Sequence, residues 1–402
     1  MSVVIIGAGH GGGTAAAMLR QQGYDGSIVL IGEEPHPPYQ RPPLSKGWLK
    51  GEVDADALTL RPREWYGEAK VGLRTSTRVI RIDRDAKVVE LSTGDRVSYD
   101  HLIIATGARA RKLVLPGSDL AGFLELRTIE DAEAIKAWFK PGFRLAIIGG
   151  GYVGLEVAAS ARALGAEVDV LEREDRLLAR VAGPVLSGFF REVHEEHGVR
   201  FHFGCDIAGF EGLDGHVSGV RMANGDVVGC DAVLVGIGAL PNDELARDAG
   251  LTCDNGVVVD AEARTSDPAI FAIGDMTQRP MSIYDRSLRL ESVPNALEQA
   301  RQAAAAISGA NPPKPETPWF WSDQYDLKLQ IAGMPFDVDQ VVVRGDPGSR
   351  RFSVFHLSGG TVQAVEAINM PQDFMVGRMM LGARRSVDPS RLADTGIPIK
   401  EV

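Results

Sequence analysis

The chain has 402 residues, of which 44% are hydrophobic and 24% are charged, and its formal net charge is −11. This length accommodates two or three domains with well-developed cores. The acidic charge and the scattered basic residues argue against nucleic acid or an anionic membrane as a partner, and no run of about 18 apolar residues predicts a membrane span.

The first predicted element is a buried strand that runs directly into a glycine-rich turn. Residues 1–6 are apolar but lack a basic flank, so they predict a core strand rather than a signal peptide. Gly7, Gly9, Gly11 and Gly12 follow, and small residues at helical spacing come next. A second strand is predicted at residues 28–31, and an acidic residue, Glu33 or Glu34, follows it.

The same pattern returns in the middle of the chain. An apolar run at 146–148 precedes Gly149, Gly151 and Gly154, and a second strand at 168–171 ends at Glu172. Thr-Gly-Asp at 93–95 and Asn-Gly-Asp at 224–226 each predict a hairpin. Each hairpin precedes an apolar strand that ends near a glycine, Gly107 or Gly238. The chain therefore contains a diverged internal repeat.

Each glycine fingerprint predicts a dinucleotide-binding turn. The first glycine permits a sharp turn, the second lets the backbone approach a pyrophosphate, and the third allows the helix to pack on the strand. The acid at the strand end binds ribose hydroxyls and repels a 2′-phosphate, so Glu172 favours NADH over NADPH, although Arg173 beside it weakens the inference. The alternative is that a fingerprint only turns the chain tightly. Two fingerprints with their acids favour two bound dinucleotides.

The rest of the chain does not repeat. A helix is predicted from Pro294 to about Ile307, followed by a proline-rich break at 311–315. Alternating apolar residues at 327–331, with further apolar runs up to residue 368, predict an antiparallel meander capped by a helix near 374–381. The predicted fold class is α/β, with two Rossmann-like domains and a C-terminal α+β domain that has an antiparallel sheet. The predicted boundaries are 1–112 with 243–317, then 113–242, then 318–402.

Three cysteines, Cys205, Cys230 and Cys253, are widely spaced and form no Cys-x-x-Cys motif. This spacing argues against a disulfide framework or a zinc site and is typical of a protein in a reducing cytoplasm. We expect no metal ligands in this chain.

Several stretches resemble the FAD-dependent, NADH-using ferredoxin reductases that serve cytochrome P450 and aromatic-ring dioxygenase systems. The similarity runs nearly end to end. It is carried by the segments 41–46 (RPPLSK), 126–128 (LRT), 271–275 (FAIGD), 291–296 (ESVPNA) and 318–324 (PWFWSDQ).

The resemblance implies that the first repeat binds FAD and the second binds NADH. The FAD contacts that it implies are Gly7, Gly9, Gly11, Gly12, Glu33, Arg41, Lys46, Val79, Ala105, Thr106, Gly107, Arg127, Gly274, Asp275 and Val293. The NADH contacts that it implies are Gly149, Gly151, Gly154, Glu156, Glu172 and Gly238. Glu291 belongs to the same cofactor-binding set.

The resemblance also implies a mechanism in which NADH delivers a hydride to the flavin, which then releases single electrons. Lys46 is expected near flavin N5, with Glu156 as its counter-charge or as a holder of the nicotinamide amide. Trp321 is expected to cover the flavin. The alternatives are that Lys46 and Glu156 are solvated surface charges and that Trp321 is an ordinary core or interface tryptophan.

Residues 42–46 lack the redox-active cysteine pair of disulfide reductases, so the electrons are expected to pass to an external acceptor. The resemblance implies that this acceptor is a [2Fe–2S] ferredoxin. Candidate docking residues for this acidic partner are Arg61, Arg63, Arg301 and Lys328, each of which is equally consistent with an ordinary solvated charge. A rubredoxin reductase and a redox-sensing protein like apoptosis-inducing factor remain as alternatives.

Overall fold

The computed structural model describes residues 1–402. The chain divides into two compact units, each assembled from three segments. The first unit contains residues 1–40, 55–109 and 240–318, and the second contains residues 41–54, 110–239 and 319–402.

The N-terminal third of the chain contains the first repeat. Its elements are β1 (Ser2–Ile6), α1 (His10–Gln21), β2 (Ser27–Ile31), α2 (Gly47–Lys50), α3 (Ala55–Leu58), α4 (Arg63–Glu68), β3 (Val71–Arg74), β4 (Val79–Asp83), β5 (Val88–Leu91), β6 (Arg96–Ser98), β7 (His101–Ile104), β8 (Ala108–Ala110), β9 (Phe123–Leu124) and α5 (Ile129–Lys136). A 3₁₀ turn at Pro42–Ser45 precedes α2.

The middle of the chain contains the second repeat, and from residue 240 the chain again belongs to the first unit. Its elements are β10 (Arg144–Ile148), α6 (Tyr152–Ala163), β11 (Glu167–Leu171), α7 (Pro184–Glu196), β12 (Val199–His202), β13 (Ile207–Leu213), β14 (His216–Met222), β15 (Val227–Gly229), β16 (Ala232–Val235), β17 (Ala239–Pro241), α8 (Glu244–Asp248), β18 (Val257–Val258), β19 (Ile270–Ala272), β20 (Thr277–Met281), β21 (Arg286–Arg289) and α9 (Val293–Ser308).

The C-terminal segment is mainly antiparallel. Its elements are β22 (Trp319–Gln324), β23 (Leu327–Gly333), β24 (Gln340–Asp346), β25 (Arg351–Ser358), β26 (Thr361–Ile368), α10 (Pro371–Gly382) and α11 (Pro389–Ala393). Two 3₁₀ turns, Pro347–Ser349 and Ile399–Glu401, complete it.

The first unit is built on a parallel sheet in the order β19-β7-β1-β2-β3. Its central strand is apolar on both sides because both faces are covered. Val3 and Ile5 pack against α1 and α9, whereas Val4 and Ile6 pack against β4, β5 and α8. The small residues of α1, among them Ala15 and Ala16, pack in one core with Ala300, Ala303 and Ala304 of α9. The alanine-rich sequences of the two helices therefore bring them close together on this sheet.

The second unit repeats this plan and adds the C-terminal sheet. Its parallel sheet has the order β12-β11-β10-β16-β9. The strand–helix–strand segments β1-α1-β2 and β10-α6-β11 have equal element lengths of five, 12 and five residues. The two predicted hairpins are confirmed as β5–β6 and β14–β15, both antiparallel. The predicted fold class is confirmed.

The C-terminal sheet differs from the predicted meander in one connection. Its order is β22-β23-β26-β25-β24, so β23 pairs with β26 rather than with the next strand, β24. The meander prediction is therefore wrong at this step, because alternation along a strand indicates its buried face but not its neighbour. One face of the sheet packs against α7, where Leu186, Phe190 and Val193 share a core with Leu329 and Phe352. No helix in the structure is both long enough and apolar enough to cross a bilayer.

Candidate functional site

The first glycine turn is tightly constrained at two positions and open at a third. Gly7 has φ +109°, and a Cβ on Gly7 would lie 2.2 Å from the Ala105 carbonyl oxygen. A Cβ on Gly12 would lie 1.9 Å from the Gly7 oxygen, whereas a Cβ on Gly9 would meet no atom within 4 Å. Gly9 therefore borders open space at the start of α1, the position at which a dinucleotide-binding turn holds a pyrophosphate.

The second turn has the same geometry. Gly149 has φ +103°, and its Cβ would lie 2.5 Å from the Gly236 oxygen, while a Cβ on Gly154 would lie 2.6 Å from the Gly149 oxygen. A Cβ on Gly151 would again meet nothing within 4 Å. In both turns the second glycine is the N-cap of the following helix and no side chain caps that helix. Helix starts of this kind bind anions through their backbone N–H groups.

The two strand-end acids lie in different surroundings. Glu172 is half-buried, and its carboxylate accepts hydrogen bonds from the backbone N–H groups of Gly150 at 2.6 Å and Glu174 at 2.9 Å. In the first unit, Glu33 is 70% exposed and its nearest cation is Arg78 at 3.9 Å. Glu34, the other acid that the sequence left open, accepts a hydrogen bond from the Tyr39 hydroxyl at 2.5 Å.

Other predicted FAD contacts lie beside the first turn, within the same unit. Ala105 donates its N–H to Ile6 and presses its carbonyl against Gly7, and the Thr106 hydroxyl donates to the carbonyl of Asn242. Gly107 has φ +66°, and Val79 is 3% exposed at the start of β4. The Ala105 carbonyl thus lies directly beside the turn, and Val79 shares a core with Val4 and Ile6 of β1.

The Gly-Asp segment is held by a residue that the sequence analysis missed. The buried Gln299 of α9 accepts hydrogen bonds from the Gly274 N–H at 2.8 Å and from the Thr277 hydroxyl at 2.9 Å. Gly274 has φ +85°. The Asp275 carbonyl accepts a hydrogen bond from Arg289, which also pairs with Glu291 at 2.6 Å. The only sequence signal for Gln299 is that a polar residue interrupts the apolar face of α9.

Val293 is the first residue of α9 and is half-buried. Gly11 lies on the inner side of α1, where a Cβ would lie 3.3 Å from Ile273. Gly238 is exposed with φ +102°, and its carbonyl accepts the Arg111 N–H.

The second unit contains Arg41, Lys46 and Arg127. The Arg41 guanidinium donates to the Arg127 carbonyl. The Arg127 N–H donates to Asp131, whose carboxylate also completes a capping box with Thr128 at the start of α5. The backbone around Arg127 is thus fixed by the first turn of a helix.

Lys46 and Glu156 form an ion pair with 2.7 Å between Nζ and Oε2. Their side chains are 16% and 7% exposed, so they are not two solvated surface charges. Lys46 also donates to the Pro42 carbonyl at 2.9 Å. The hydroxyl groups of Ser45 and Ser322 donate to the two oxygens of the Glu156 carboxylate. Glu156 therefore accepts from one cation and two hydroxyls.

Trp321 does not join this cluster. Side chains alternate along a strand, and Ser322 of β22 points to Glu156, so Trp321 lies on the opposite face of β22. There its ring centroid lies 5.6 Å from that of Trp319, which also contacts Phe374. The role predicted for Trp321 remains a prediction.

The four candidate docking cations are not alike. Arg61 lies over the Trp65 ring at 4.8 Å, and Arg63 is exposed two residues further along. Arg301 is paired with Glu316, so its charge is compensated. Lys328 is exposed on β23 of the other unit.

No disulfide links the three cysteines. Burial raises the pKa of the Cys230 thiol to about 12, and it also raises the pKa values of Cys205 and Cys253. Thiolate chemistry is therefore disfavoured at all three positions.

Comparisons with known proteins agree with this architecture. Residues 1–300 match the family described as pyridine nucleotide-disulphide oxidoreductase, and residues 319–402 match the family described as reductase C-terminal. The chain is 51% identical to the probable ferredoxin reductase CtmF of Castellaniella defragrans, over 99% of this chain and 97% of that protein. It is 45% identical to rhodocoxin reductase of Rhodococcus erythropolis, over 100% of this chain and 94% of that protein. The crystal structure of the covalent putidaredoxin reductase–putidaredoxin complex superposes with a TM-score of 0.97 and 41% identity, covering 100% of this chain and 97% of that one.

Proposed function

The chain belongs to the pyridine nucleotide-disulphide oxidoreductase family, and on that premise we propose that it is an FAD-dependent ferredoxin–NAD⁺ reductase. In this function the enzyme takes electrons from NADH and passes them to a [2Fe–2S] ferredoxin that supplies a cytochrome P450 or an aromatic-ring dioxygenase. Relatives named as ferredoxin reductases cover essentially the whole chain, which supports the assignment.

The observation that carries this function is the duplicated nucleotide turn. Gly9 and Gly151 both leave open space at the start of a helix whose N–H groups have no side-chain cap. One chain therefore offers two places for a pyrophosphate, and two dinucleotides in one enzyme are what electron transfer between them requires. We assign residues 1–112 and 243–317 to FAD, 113–242 to NADH, and 318–402 to a C-terminal α+β domain.

The donors and acceptors of the two turns fit the two cofactors. Backbone N–H groups at the starts of α1 and α6 would bind the pyrophosphates, and the Gly274–Asp275 segment held by Gln299 would bind the ribityl-phosphate region of FAD. When both cofactors are bound, NADH would supply a hydride, and FAD would take up its proton and two electrons and could release the electrons one at a time. Hydride transfer depends mainly on the alignment of the donor and the acceptor.

Lys46 and Glu156 supply the charged groups of the proposed redox centre. The ion pair fixes the Lys46 ammonium, and the Pro42 carbonyl holds it from a second side. Ser45 and Ser322 hold both oxygens of the Glu156 carboxylate. Such a set of mutual hydrogen bonds orients buried charges before a ligand arrives, so little reorganisation is left for the reaction itself.

The residues also favour NADH and an external electron acceptor. Glu172 is held at the edge of the second turn by a hydrogen bond from the Gly150 N–H, and its negative charge disfavours the 2′-phosphate of NADPH. No cysteine precedes Cys205, so electrons cannot pass to a cysteine pair in the region 42–46 and must leave for a separate protein. We also infer that the enzyme works in the cytoplasm, where NADH is available and thiols stay reduced.

The test is to mix the flavin-loaded protein anaerobically with NADH and then with cytochrome c and, in separate samples, a rubredoxin or one of a panel of [2Fe–2S] ferredoxins from P450 and dioxygenase systems. We expect NADH to bleach the flavin and a ferredoxin to accelerate cytochrome c reduction. Acceleration by rubredoxin alone would make the protein a rubredoxin reductase. A long-lived reduced flavin that no ferredoxin oxidises would instead identify a redox sensor. Failure of NADH to bleach the flavin would overturn the proposed function.

A further inference from the structure

The hydroxyl of Ser322 that holds Glu156 is the end of a longer chain of buried polar groups. Ser322 Oγ lies 2.6 Å from Glu156 Oε1, and Gln324 Nε2 lies 3.1 Å from Ser322 Oγ. Gln324 Oε1 lies 2.8 Å from His194 Nε2, and His194 Nδ1 lies 3.1 Å from the Tyr325 hydroxyl. The chain therefore links α6, β22 and α7.

The chain lies in the protein interior. Ser322 and His194 are 0% exposed and Gln324 is 1% exposed. Three uncharged polar side chains in a row are costly to bury unless each one is hydrogen-bonded. A core of apolar side chains would fill this space at lower cost, so the polar chain requires an explanation.

The charge of Glu156 determines the direction of the hydrogen bonds from Ser322 to His194 Nε2, and a neutral His194 ring determines the direction of the last one. A carboxylate paired with the Lys46 ammonium only accepts, so the Ser322 hydroxyl must donate to it. A hydroxyl has one hydrogen, so Ser322 Oγ must accept from Gln324, which places the amide nitrogen toward Ser322. The amide oxygen then accepts from His194 Nε2–H, and His194 Nδ1 accepts from the Tyr325 hydroxyl.

The imidazole suits this arrangement because burial lowers the pKa of His194 to about 4. The ring is therefore neutral near pH 7 and carries a single proton, as the chain requires. Burial also raises the pKa of the Tyr325 hydroxyl, which stays a donor. Tyr325 itself is held by stacking on His197, with ring centroids 3.8 Å apart and planes 17° apart.

We propose that Ser322, Gln324 and His194 are positioning residues for the redox centre, and that their one-directional hydrogen-bond chain holds the Glu156 carboxylate where it orients the Lys46 ammonium. The inference rests on the proposed function of the Lys46–Glu156 pair. These residues touch no substrate; they act through Glu156. The C-terminal domain thereby contributes to hydride transfer through the polar face of β22.

The test compares Ser322→Ala with Ser322→Thr, which keeps the hydroxyl, and with Ser353→Ala. Ser353 is the matched control because it is also 0% exposed in the C-terminal sheet and donates to a buried carboxylate, Asp373, at 2.6 Å. The limiting rate of anaerobic flavin reduction by NADH and the apparent Kd for NADH are measured together with the thermal midpoint. No ferredoxin is present, so the partner protein does not enter the result.

We expect Ser322→Ala to lower the limiting rate about tenfold, the value of one hydrogen bond to a charged group, with little change in the apparent Kd. Ser322→Thr should recover most of the rate, and Ser353→Ala should lower the thermal midpoint but not the rate. Equal rates in Ser322→Ala and Ser353→Ala would overturn the inference while leaving the proposed function intact.

If Ser322→Ala does not fold with bound flavin, Gln324→Met provides a second variant. Gln324 is one hydrogen bond further from Glu156 along the chain of polar groups. This substitution removes the donor to Ser322 at similar volume, and we expect the limiting rate to fall in the same direction. A rate equal to that of the Ser353→Ala control would overturn the inference. If NADH does not bleach the flavin of the unmodified protein, the proposed function fails and the inference fails with it.

Discussion

Glu172 ties the end of β11 to the second glycine turn, because its carboxylate accepts the Gly150 N–H at 2.6 Å. The second oxygen accepts the Glu174 N–H. The acid therefore shapes the turn that would receive the pyrophosphate, in addition to presenting negative charge to the ribose. We therefore expect this half-buried carboxylate to affect both the affinity for a nucleotide and the choice between nucleotides.

Replacing Glu172 with Ser tests the proposed preference for NADH. Ser cannot repel a 2′-phosphate, and it loses the bond to Gly150, so kcat/KM for NADH should fall while that for NADPH rises. We expect the NADH/NADPH ratio to drop at least about tenfold, equivalent to ~1.4 kcal/mol. Steady-state kinetics with a dye acceptor give the ratio. Glu167→Ser, at an exposed acid at the start of β11, is the control, and an unchanged ratio in Glu172→Ser would discredit the assignment.

Alanine at Gly9 or Gly151, the two glycines where a Cβ would meet no other atom within 4 Å, distinguishes the two nucleotide sites. Gly9 has φ −94° and Gly151 has φ −83°, which alanine adopts freely, and both lack neighbours for a Cβ. Gly9→Ala should fold but retain less FAD after purification. Gly151→Ala should retain FAD and raise the KM for NADH about tenfold, because the methyl group occupies the space of the pyrophosphate. Flavin absorbance per protein and NADH titration measure these effects.

Gly12, where a Cβ would clash with the backbone, provides a control in which alanine should disrupt folding. A Cβ on Gly12 would lie 1.9 Å from the Gly7 oxygen, so Gly12→Ala should disrupt folding itself rather than cofactor affinity alone. Circular dichroism of the cofactor-stripped proteins separates the two effects. A Gly9→Ala protein that keeps full FAD occupancy would show that the first turn does not bind FAD.

Breaking the Lys46–Glu156 pair should affect both stability and reactivity. Lys46→Met leaves a nearly buried carboxylate without its cation, which costs about 3 kcal/mol of unfolding free energy. The double variant Lys46→Met/Glu156→Leu should regain part of this stability, because neither charge is then left unpaired. In both variants the flavin should be reduced by NADH more slowly than in the unmodified protein. Thermal melts and anaerobic stopped-flow absorbance measure the two properties, and a fast double variant would show that the pair is only structural.

Acid should destabilise the protein through His194. Its pKa is about 4 in the folded state and about 6.5 when unfolded, so the unfolded chain binds more protons between these values. Stability from the neutral imidazole is therefore complete above pH ~6.5 and is lost as the pH falls toward 4, by at most about 3 kcal/mol. Thermal midpoints of the protein and of His194→Gln between pH 7.5 and 5 test this. In His194→Gln the thermal midpoint should depend less steeply on pH, whereas His216→Gln, at an exposed site, should leave this dependence unchanged.

The sequence predicts most of the fold because the fold depends on local patterns that repeat. The strands before Gly7 and Gly149, the helices after them and the two hairpins follow from apolar runs, glycines and turn residues. The order of the C-terminal strands does not follow from such patterns. The pairing of β23 with β26 depends on contacts between distant segments, and alternation in the sequence gives no information about the neighbouring strand.

The site was predictable where a residue type follows from a backbone requirement, as at the glycines, or from the resemblance, as at Lys46 and Glu156. Gln299, Ser322 and His194 carry no such signal. Each is a buried polar residue that bonds a side chain from a distant part of the sequence. Thr277 lies 22 positions from Gln299, Gln324 lies 130 positions from His194, and Glu156 lies 166 positions from Ser322. Their role appears only when the fold brings donor and acceptor together.

One consequence of the alternation in β22 concerns insertions and deletions. Ser322 pairs with Leu329 in the register of β22 and β23, and a slip of a single residue exchanges the two faces of a strand. Such a slip would present either an indole or the acid Asp323 to Glu156 in place of a hydroxyl. Length changes in the Tyr325–Asp326 turn should therefore damage electron transfer more than most point substitutions there, and chimeric reductases that exchange the C-terminal segment need this alignment preserved.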